Sequence, residues 1–425
     1  MLILAGGDLV LPDRILTGAS LLIDEGRIAA VEARPAVDAT GATVLDVREC
    51  FVVPGFIDVH VHGVEGFDTL DEGDPVGEMA RRLPRYGVTA FCPTTVACGP
   101  AQLRGLLTRV GVLRSSRAAG TARVLPAHLE SNFINPEYKG AQPAECLRMP
   151  PGPAEAGPYV RGAWGPVPGT WGPPPGTWGP PSGGSGGSEF SSRDILDVIS
   201  GARPDVGIVT LAPELPGGIA LVTALVAAGH RVSIGHSGAT LDEAMAAIDA
   251  GARHATHLFN RMAPMSHRAP GIAGAVLARE DVAAELICDG YHVHPAMAGI
   301  AIAAKGTHRM MGITDGTAGS GLPPGSTARL GGRRIRVTDT AAVLDEGTLA
   351  GSTLTMDRAF KTIVSVFGLS IVDAAMLCSS TPARELGLTG FGVIARDAVA
   401  DLVVLDRGFR VQRTIIAGDS AYTST

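Results

Sequence analysis

The stretch "DVHVHG" carries two histidines two residues apart, His60 and His62. On a strand both side chains point to the same face, because side chains alternate with a period of two. Neutral imidazoles held side by side suit zinc or a similar divalent ion. Alone the pair says little, since HxH recurs by chance and usually marks surface histidines. Four other groups share its context, however. Glu130 ends "AHLE", His236 ends "VSIGH", His257 ends "ATH" and Asp315 ends "MGITD", each after a short apolar run that reads as a strand. A single loop glutamate is usually solvated or a cap. Four histidines and two carboxylates converging from strand ends are instead the ligand set of two close metal ions sharing a carboxylate. On that reading Glu130 bridges or binds metal.

The elements that would position these groups repeat along the chain. Strand candidates "FIDVHVHG", "VTAFCPTT", "RVLPAHLE", "GIVTLAPE", "RVSIGHS", "HATHLFN", "AELICDG" and "RMMGITDG" are separated by helix-like runs such as "LVTALVAAGH" and "TLDEAMAAIDAGA". Strand then helix, repeated about eight times, predicts a (β/α)8 TIM barrel, an α/β fold whose active sites form at the C-terminal strand ends. The two termini read differently. "LILAGGDLVL", "ASLLIDEGRIAAVEA" and "ATVLDV" at one end, "ADLVVLD" and "VQRTIIAG" at the other, alternate apolar residues between Gly, Asp and Pro breaks. They predict a small β-sandwich domain assembled from residues 1–53 and 385–425, around a barrel spanning 54–384.

One segment fits neither pattern. Residues 150–188 are dominated by Pro, Gly and Ser and repeat "GAWGPVP", "GTWGPPP" and "GTWGPPS", which hold all three tryptophans, Trp164, Trp171 and Trp178. Such composition cannot pack a core and reads as a low-complexity insertion. A helix is expected to follow near "SSRDILDVI", capped by Ser191 or Ser192 with Asp194 in its first turn.

Bulk composition narrows the function further. Hydrophobic residues at 45% suffice for a large core, and a net charge of −7 without runs of Lys and Arg argues against a nucleic-acid surface. Six cysteines at 50, 92, 98, 146, 288 and 378 form no CxxC pair, as suits a reducing compartment. The start "MLILAGGDLVLPDRIL" lacks a basic region and meets Asp8 and Pro12 too early for a signal peptide or membrane span. A cytoplasmic protein with no membrane partner is expected.

"PGFIDVHVHG", "HLESNFINPEYKGA", "TLAPE", "IGHSGAT", "THLFNRM", "DGYHVHP", "ITDGTAGSGLPPG" and "LAGSTLTMD" occur in an order that resembles the amidohydrolase superfamily. Within it the chain is similar to the N-acetylglucosamine-6-phosphate deacetylase family, over nearly its whole length except the insertion. The resemblance implies metal binding by His60, His62, Glu130, His236 and His257, with one or two divalent ions, zinc first and iron or another divalent metal as alternatives. It makes Asp315 the general base that takes a proton from the attacking water and returns it to the leaving amine. It assigns Asn260, Arg268 and His292 to the sugar and its 6-phosphate, where a guanidinium fork suits a phosphate dianion. It also implies a homodimer in which Arg268 can serve the neighbouring subunit. His128, His230, His254, His267 and His294 match no motif position and are read as structural.

Two departures stand out. Ser131-Asn132 replaces the family's usual Gly-Pro, and Gln142 stands where the family closes "KGAH" with histidine. Gln142 is a substrate-side residue that still donates a hydrogen bond but carries no charge. The expected activity is therefore hydrolysis of the N-acetyl group of an amino-sugar 6-phosphate. The glucosamine substrate comes first; the galacto epimer and other N-acyl compounds are the rivals. A non-catalytic scaffold binding partners through the Trp/Pro repeat is the reading from another class.

Overall fold

The computed structural model of the chain describes residues 1–34, 41–151 and 190–424. The Pro/Gly/Trp repeat and its tryptophans lie outside the described residues.

Eight parallel strands appear where the alternating pattern puts them: β1 (Phe56–Val61), β2 (Val88–Thr95), β3 (Ala127–Glu130), β4 (Val206–Leu211), β5 (Arg231–Ile234), β6 (His254–Ala255), β7 (Ala283–Ile287) and β8 (Met310–Ile313). Every successive pair is hydrogen-bonded in parallel. The ring is closed by the Asp315 N–H donating to the His60 carbonyl at 2.9 Å and the His62 N–H to Gly316 at 2.7 Å. All eight residues of β2 and all six of β1 are buried, as expected of parallel strands covered on both faces. Helices on the outside include Ser192–Gly201, capped by Ser191 with Asp194 returning the bond, and Leu241–Asp249, with the same reciprocal cap from Thr240 and Glu243.

Both termini contribute to a second sheet of eight strands, in which Leu402–Leu405 pairs antiparallel with Phe51–Pro54 and Leu2–Val10 joins three neighbours, Ile15–Asp24, Thr43–Asp46 and Phe51–Pro54. It is one continuous, bulged sheet whose two ends share a core of Leu4, Leu21, Ile28, Leu402 and Ile415. A three-stranded sheet, Thr327–Leu330, Arg333–Val337 and Ala342–Leu344, follows β8 and was not foreseen from sequence. It brings Leu330 to the barrel mouth.

Candidate metal centre

Glu130 is the last residue of β3, and His236, His257 and Asp315 each lie two residues beyond their strands. The chain turns sharply there: His236 (φ 48°), His257 (φ 28°) and Asp315 (φ 48°) all sit in left-handed backbone. Such strain collects at functional sites, where surrounding structure fixes it. The turn tips these side chains inward over the barrel axis. Gly351, at φ 64°, passes so close that a Cβ would stand 2.9 Å from the Asp315 carbonyl, so glycine is required beside the strained turn.

Six groups predicted from strand ends meet. Glu130 Oε1 lies 2.7 Å from His236 Nε2 and 2.8 Å from His257 Nε2. His60 Nε2 is 3.2 Å from His62 Nε2, and Asp315 Oδ1 is 3.3 Å from both. Glu130 Oε2 reaches within 3.6 Å of His62 Nε2, so its carboxylate spans the two groups. All six residues are buried.

The proton positions explain what these contacts require. His236 Nδ1 faces the Tyr138 carbonyl at 2.7 Å and therefore carries the hydrogen. With the hydrogen on Nδ1, Nε2 is the atom left to face Glu130 Oε1 and His257 Nε2, 3.1 Å away. His60 repeats the situation, since its Nδ1 donates to Glu285 Oε2 at 2.8 Å and its Nε2 confronts His62 and Asp315. Acceptors packed against acceptors repel unless a proton or a cation stands between them. Ligand atoms around a tetrahedral ion at about 2.05 Å are about 3.3 Å apart. The Nε2–Nε2 and Nε2–Oδ1 spacings of 3.1 to 3.3 Å match that edge. The all-nitrogen-and-oxygen donor set fits a divalent ion of the zinc type.

Without a cation the same groups pull one another's proton affinities apart. Burial drives the His60 ring down to about 3. Burial opposes charge on His257 too, but the Glu130 hydrogen bond and charge outweigh it and raise that ring to about 9. Glu130 itself, despite burial, is held well below the carboxylate range by His236 and His257. Asp315 is likewise lowered, burial being overcome by His60 and His62.

Above the six groups opens a cavity of about 500 Å³, within the range of small-molecule sites. Gln142, Asn260 and His292 line it, as expected from sequence. The Gln142 amide donates to Glu130 Oε2 while its carbonyl accepts from the Ala97 N–H at 2.7 Å. That second bond fixes the flip of the amide, so Gln142 offers the centre a donor. His292 is held by Asp289 at 2.6 Å through Nδ1, and its Nε2 has no partner among the described residues. Arg268 is exposed and does not line the cavity of its own chain. The arginine that does is Arg261. Ser131 and Asn132 face away, their side chains donating to the carbonyls of Thr210 (2.5 Å), Cys98 (2.9 Å) and Cys146 (2.7 Å). They anchor the loop and leave the cavity to Gln142.

Sequence reasoning missed Glu285. Its Oε2 accepts from His60 Nδ1 and from the His257 N–H at 3.2 Å, so one carboxylate braces a histidine of each group. A signal existed: Glu285 interrupts the apolar run "VAAELIC", and a carboxylate inside a covered barrel strand has to point at something. His128, read as structural, is buried and partnered by the Val59 carbonyl (3.0 Å) and the Thr210 hydroxyl (2.8 Å).

No protein-family profile matches the chain. It is 31% identical to N-acetylglucosamine-6-phosphate deacetylase of Lysinibacillus sphaericus, over 93% of this chain and 91% of that protein. It is also 31% identical to N-acetylgalactosamine-6-phosphate deacetylase of Escherichia coli O157:H7, over 94% of each. Among solved structures, N-acetylglucosamine-6-phosphate deacetylase of Thermotoga maritima superposes with a TM-score of 0.80 at 31% identity, covering 99% of this chain and 100% of that one. With the barrel, the strand-end cluster of histidines and carboxylates and near full-length similarity together, the chain belongs to the N-acetylglucosamine-6-phosphate deacetylase family of the amidohydrolase superfamily.

Proposed function

We propose that this chain hydrolyses the acetamide of N-acetylglucosamine 6-phosphate, giving glucosamine 6-phosphate and acetate. The observation that carries the reading is Glu130 set between two histidine groups, with Asp315 beside them on the floor of one cavity. Glu130, His236 and His257 would hold one divalent ion, zinc first among candidates; His60, His62 and Asp315 form a second group fit for another. A bound divalent ion supplies Lewis acidity, which makes water nucleophilic near neutral pH and polarises the acetyl carbonyl.

The chain's own groups do the rest. The Asp315 carboxylate, whose lowered proton affinity keeps it ionised, accepts a proton from the attacking water. It then delivers that proton to the amide nitrogen as the C–N bond breaks, so that the amine leaves neutral. Gln142 presents a fixed N–H donor over the centre, and Asn260 and His292 provide hydrogen-bonding groups on the wall for the sugar. The family's phosphate role falls to Arg268 by its motif position. Its exposed place outside this chain's cavity favours action across a homodimer, in the neighbouring subunit's site. Among the described residues no helix is long and apolar enough to cross a membrane.

A glucosamine-type and a galactosamine-type relative are each 31% identical to the chain, so the test compares both epimers. Acetate release should be assayed with N-acetylglucosamine 6-phosphate, its galacto epimer and unphosphorylated N-acetylglucosamine. The proposal expects the highest kcat/KM for the first. A higher value for the galacto compound would reassign the sugar, and no release from any would refute the deacetylase reading.

A further inference from the structure

A second cavity, of about 610 Å³, opens at the opposite end of the barrel. Arg231 begins β5 and lines it, whereas His236 stands past the end of the same strand. At about 3.3 Å per residue the two ends are about 16 Å apart. Five arginines line this cavity: Arg114, Arg117, Arg123, Arg203 and Arg231, from well-separated parts of the chain, and no carboxylate is among the lining residues. The chain as a whole carries −7, so this concentration of positive charge runs against its average.

Some of the arginines have structural duties. Arg123 forks onto Asp401 at 2.9 and 3.2 Å, and Arg114 pairs with Asp205. Arg231 lies 3.6 Å from Glu385, but Glu385 also receives Arg309 at 3.0 Å and Arg384 at 3.2 Å, so one carboxylate is divided among three guanidiniums. Arg117 and Arg203 have no acidic partner among the described residues. Arg117 donates to the Thr121 carbonyl at 3.2 Å and Arg203 to the Ala228 carbonyl at 2.7 Å, leaving further N–H donors of each unused. Five guanidiniums thus line the concavity, three of them paired with Asp205, Asp401 and Glu385 behind it, while Asp401 and Asp419 also act on Arg117 through their charge. Clefts lined by one sign of charge over low-dielectric walls focus the field and concentrate counter-ions. Here Leu113, Val124, Leu125, Val206, Leu386 and Leu388 supply the apolar wall.

We infer that this cavity is an anion-binding site, separate from the deacetylase centre, for a small phosphorylated molecule bearing at least two phosphoryl groups. Two guanidiniums outside any ion pair, Arg117 and Arg203, offer two points of charge-assisted binding, and the planar fork suits phosphate oxygens. The lining includes no aromatic ring, so nothing here favours a nucleobase.

The test titrates fructose 1,6-bisphosphate, which carries no acetamide, into the full-length metal-loaded enzyme by calorimetry. At low salt a Kd below about 1 mM is expected, weakening as salt rises. Replacing Arg117 and Arg203 together by serine should weaken binding by at least about tenfold, given the strength of charge-assisted hydrogen bonds. That change should leave kcat/KM for deacetylation unaltered. Replacing both by lysine keeps the charge and should retain part of the affinity, which separates loss of the site from misfolding. Arg268→Ala should not affect this binding. Binding undiminished in the serine variant, lost instead in Arg268→Ala, or absent from wild type at about 10 mM ligand would each overturn the proposal.

Discussion

Replacing Glu285 by leucine removes the one acceptor shared by the His60 ring and the His257 backbone. Two buried N–H donors then lose their partner, at about 1–3 kcal/mol each. His60 also loses the bond that fixes its tautomer with Nε2 free, and carboxylates behind ligating histidines are worth about 10–100-fold in metal affinity. One effect runs the other way. Burial pushes the Glu285 carboxyl up to about 7, a sign that the site resists holding its charge, so an apolar replacement relieves part of that cost. The expected result is a folded protein, modestly less stable, whose metal affinity falls about 10–100-fold. Glu285→Gln keeps an acceptor oxygen without the charge and should lose at most about tenfold. Metal content after dialysis against graded chelator gives the affinities, and the absorption of the cobalt-substituted protein reports ligand geometry independently of turnover. Wild-type metal affinity and an unchanged cobalt spectrum in Glu285→Leu would refute the idea that this carboxylate orients the centre.

Asp315→Asn should lower kcat by about 10²–10⁴-fold with little loss of metal, because the amide cannot accept the water's proton; more than a tenth of wild-type activity would remove Asp315 from the mechanism. Glu130→Gln should instead lower bound metal, a neutral amide being the poorer ligand, and unchanged metal content would show that Glu130 is no ligand. Arg268→Ala should raise KM for the phosphorylated sugar far more than for its unphosphorylated analogue; equal effects would mean Arg268 does not read phosphate. Chelator treatment should abolish turnover and lower the melting temperature, with both restored by zinc, and full activity after verified metal removal would end the metal-dependent reading.

The barrel was legible because its physics is local. Apolar runs of strand length end in polar residues and alternate with helical runs, and that periodicity survives without knowledge of what packs where. The six groups of the centre were legible for the same reason, since a strand end is visible in one dimension. Glu285 escaped because it lies within a strand and its significance depends on which ring stands across the barrel. The motif singles out Arg268 and gives no sign of Arg261, which lines the cavity through a loop with left-handed backbone at His257, Phe259 and Arg261. The arginine cluster was invisible for a different reason. Its members are dispersed between positions 114 and 231, so the chain has no basic run although the folded molecule has a basic concavity.

The left-handed backbone at His236, His257 and Asp315 bears on how this enzyme would respond to selection. Strained positions cost on the order of 1–3 kcal/mol each, toward the lower end for residues such as Asp and His that tolerate the region. Glycine would relax all three turns while deleting two histidines and the carboxylate. A library screened for heat resistance alone should therefore enrich glycine at 236, 257 and 315, and its hardiest members would be inert. Any engineering campaign on this scaffold has to score acetate release in the same round as melting, because at the strand ends robustness and turnover compete for the same three residues.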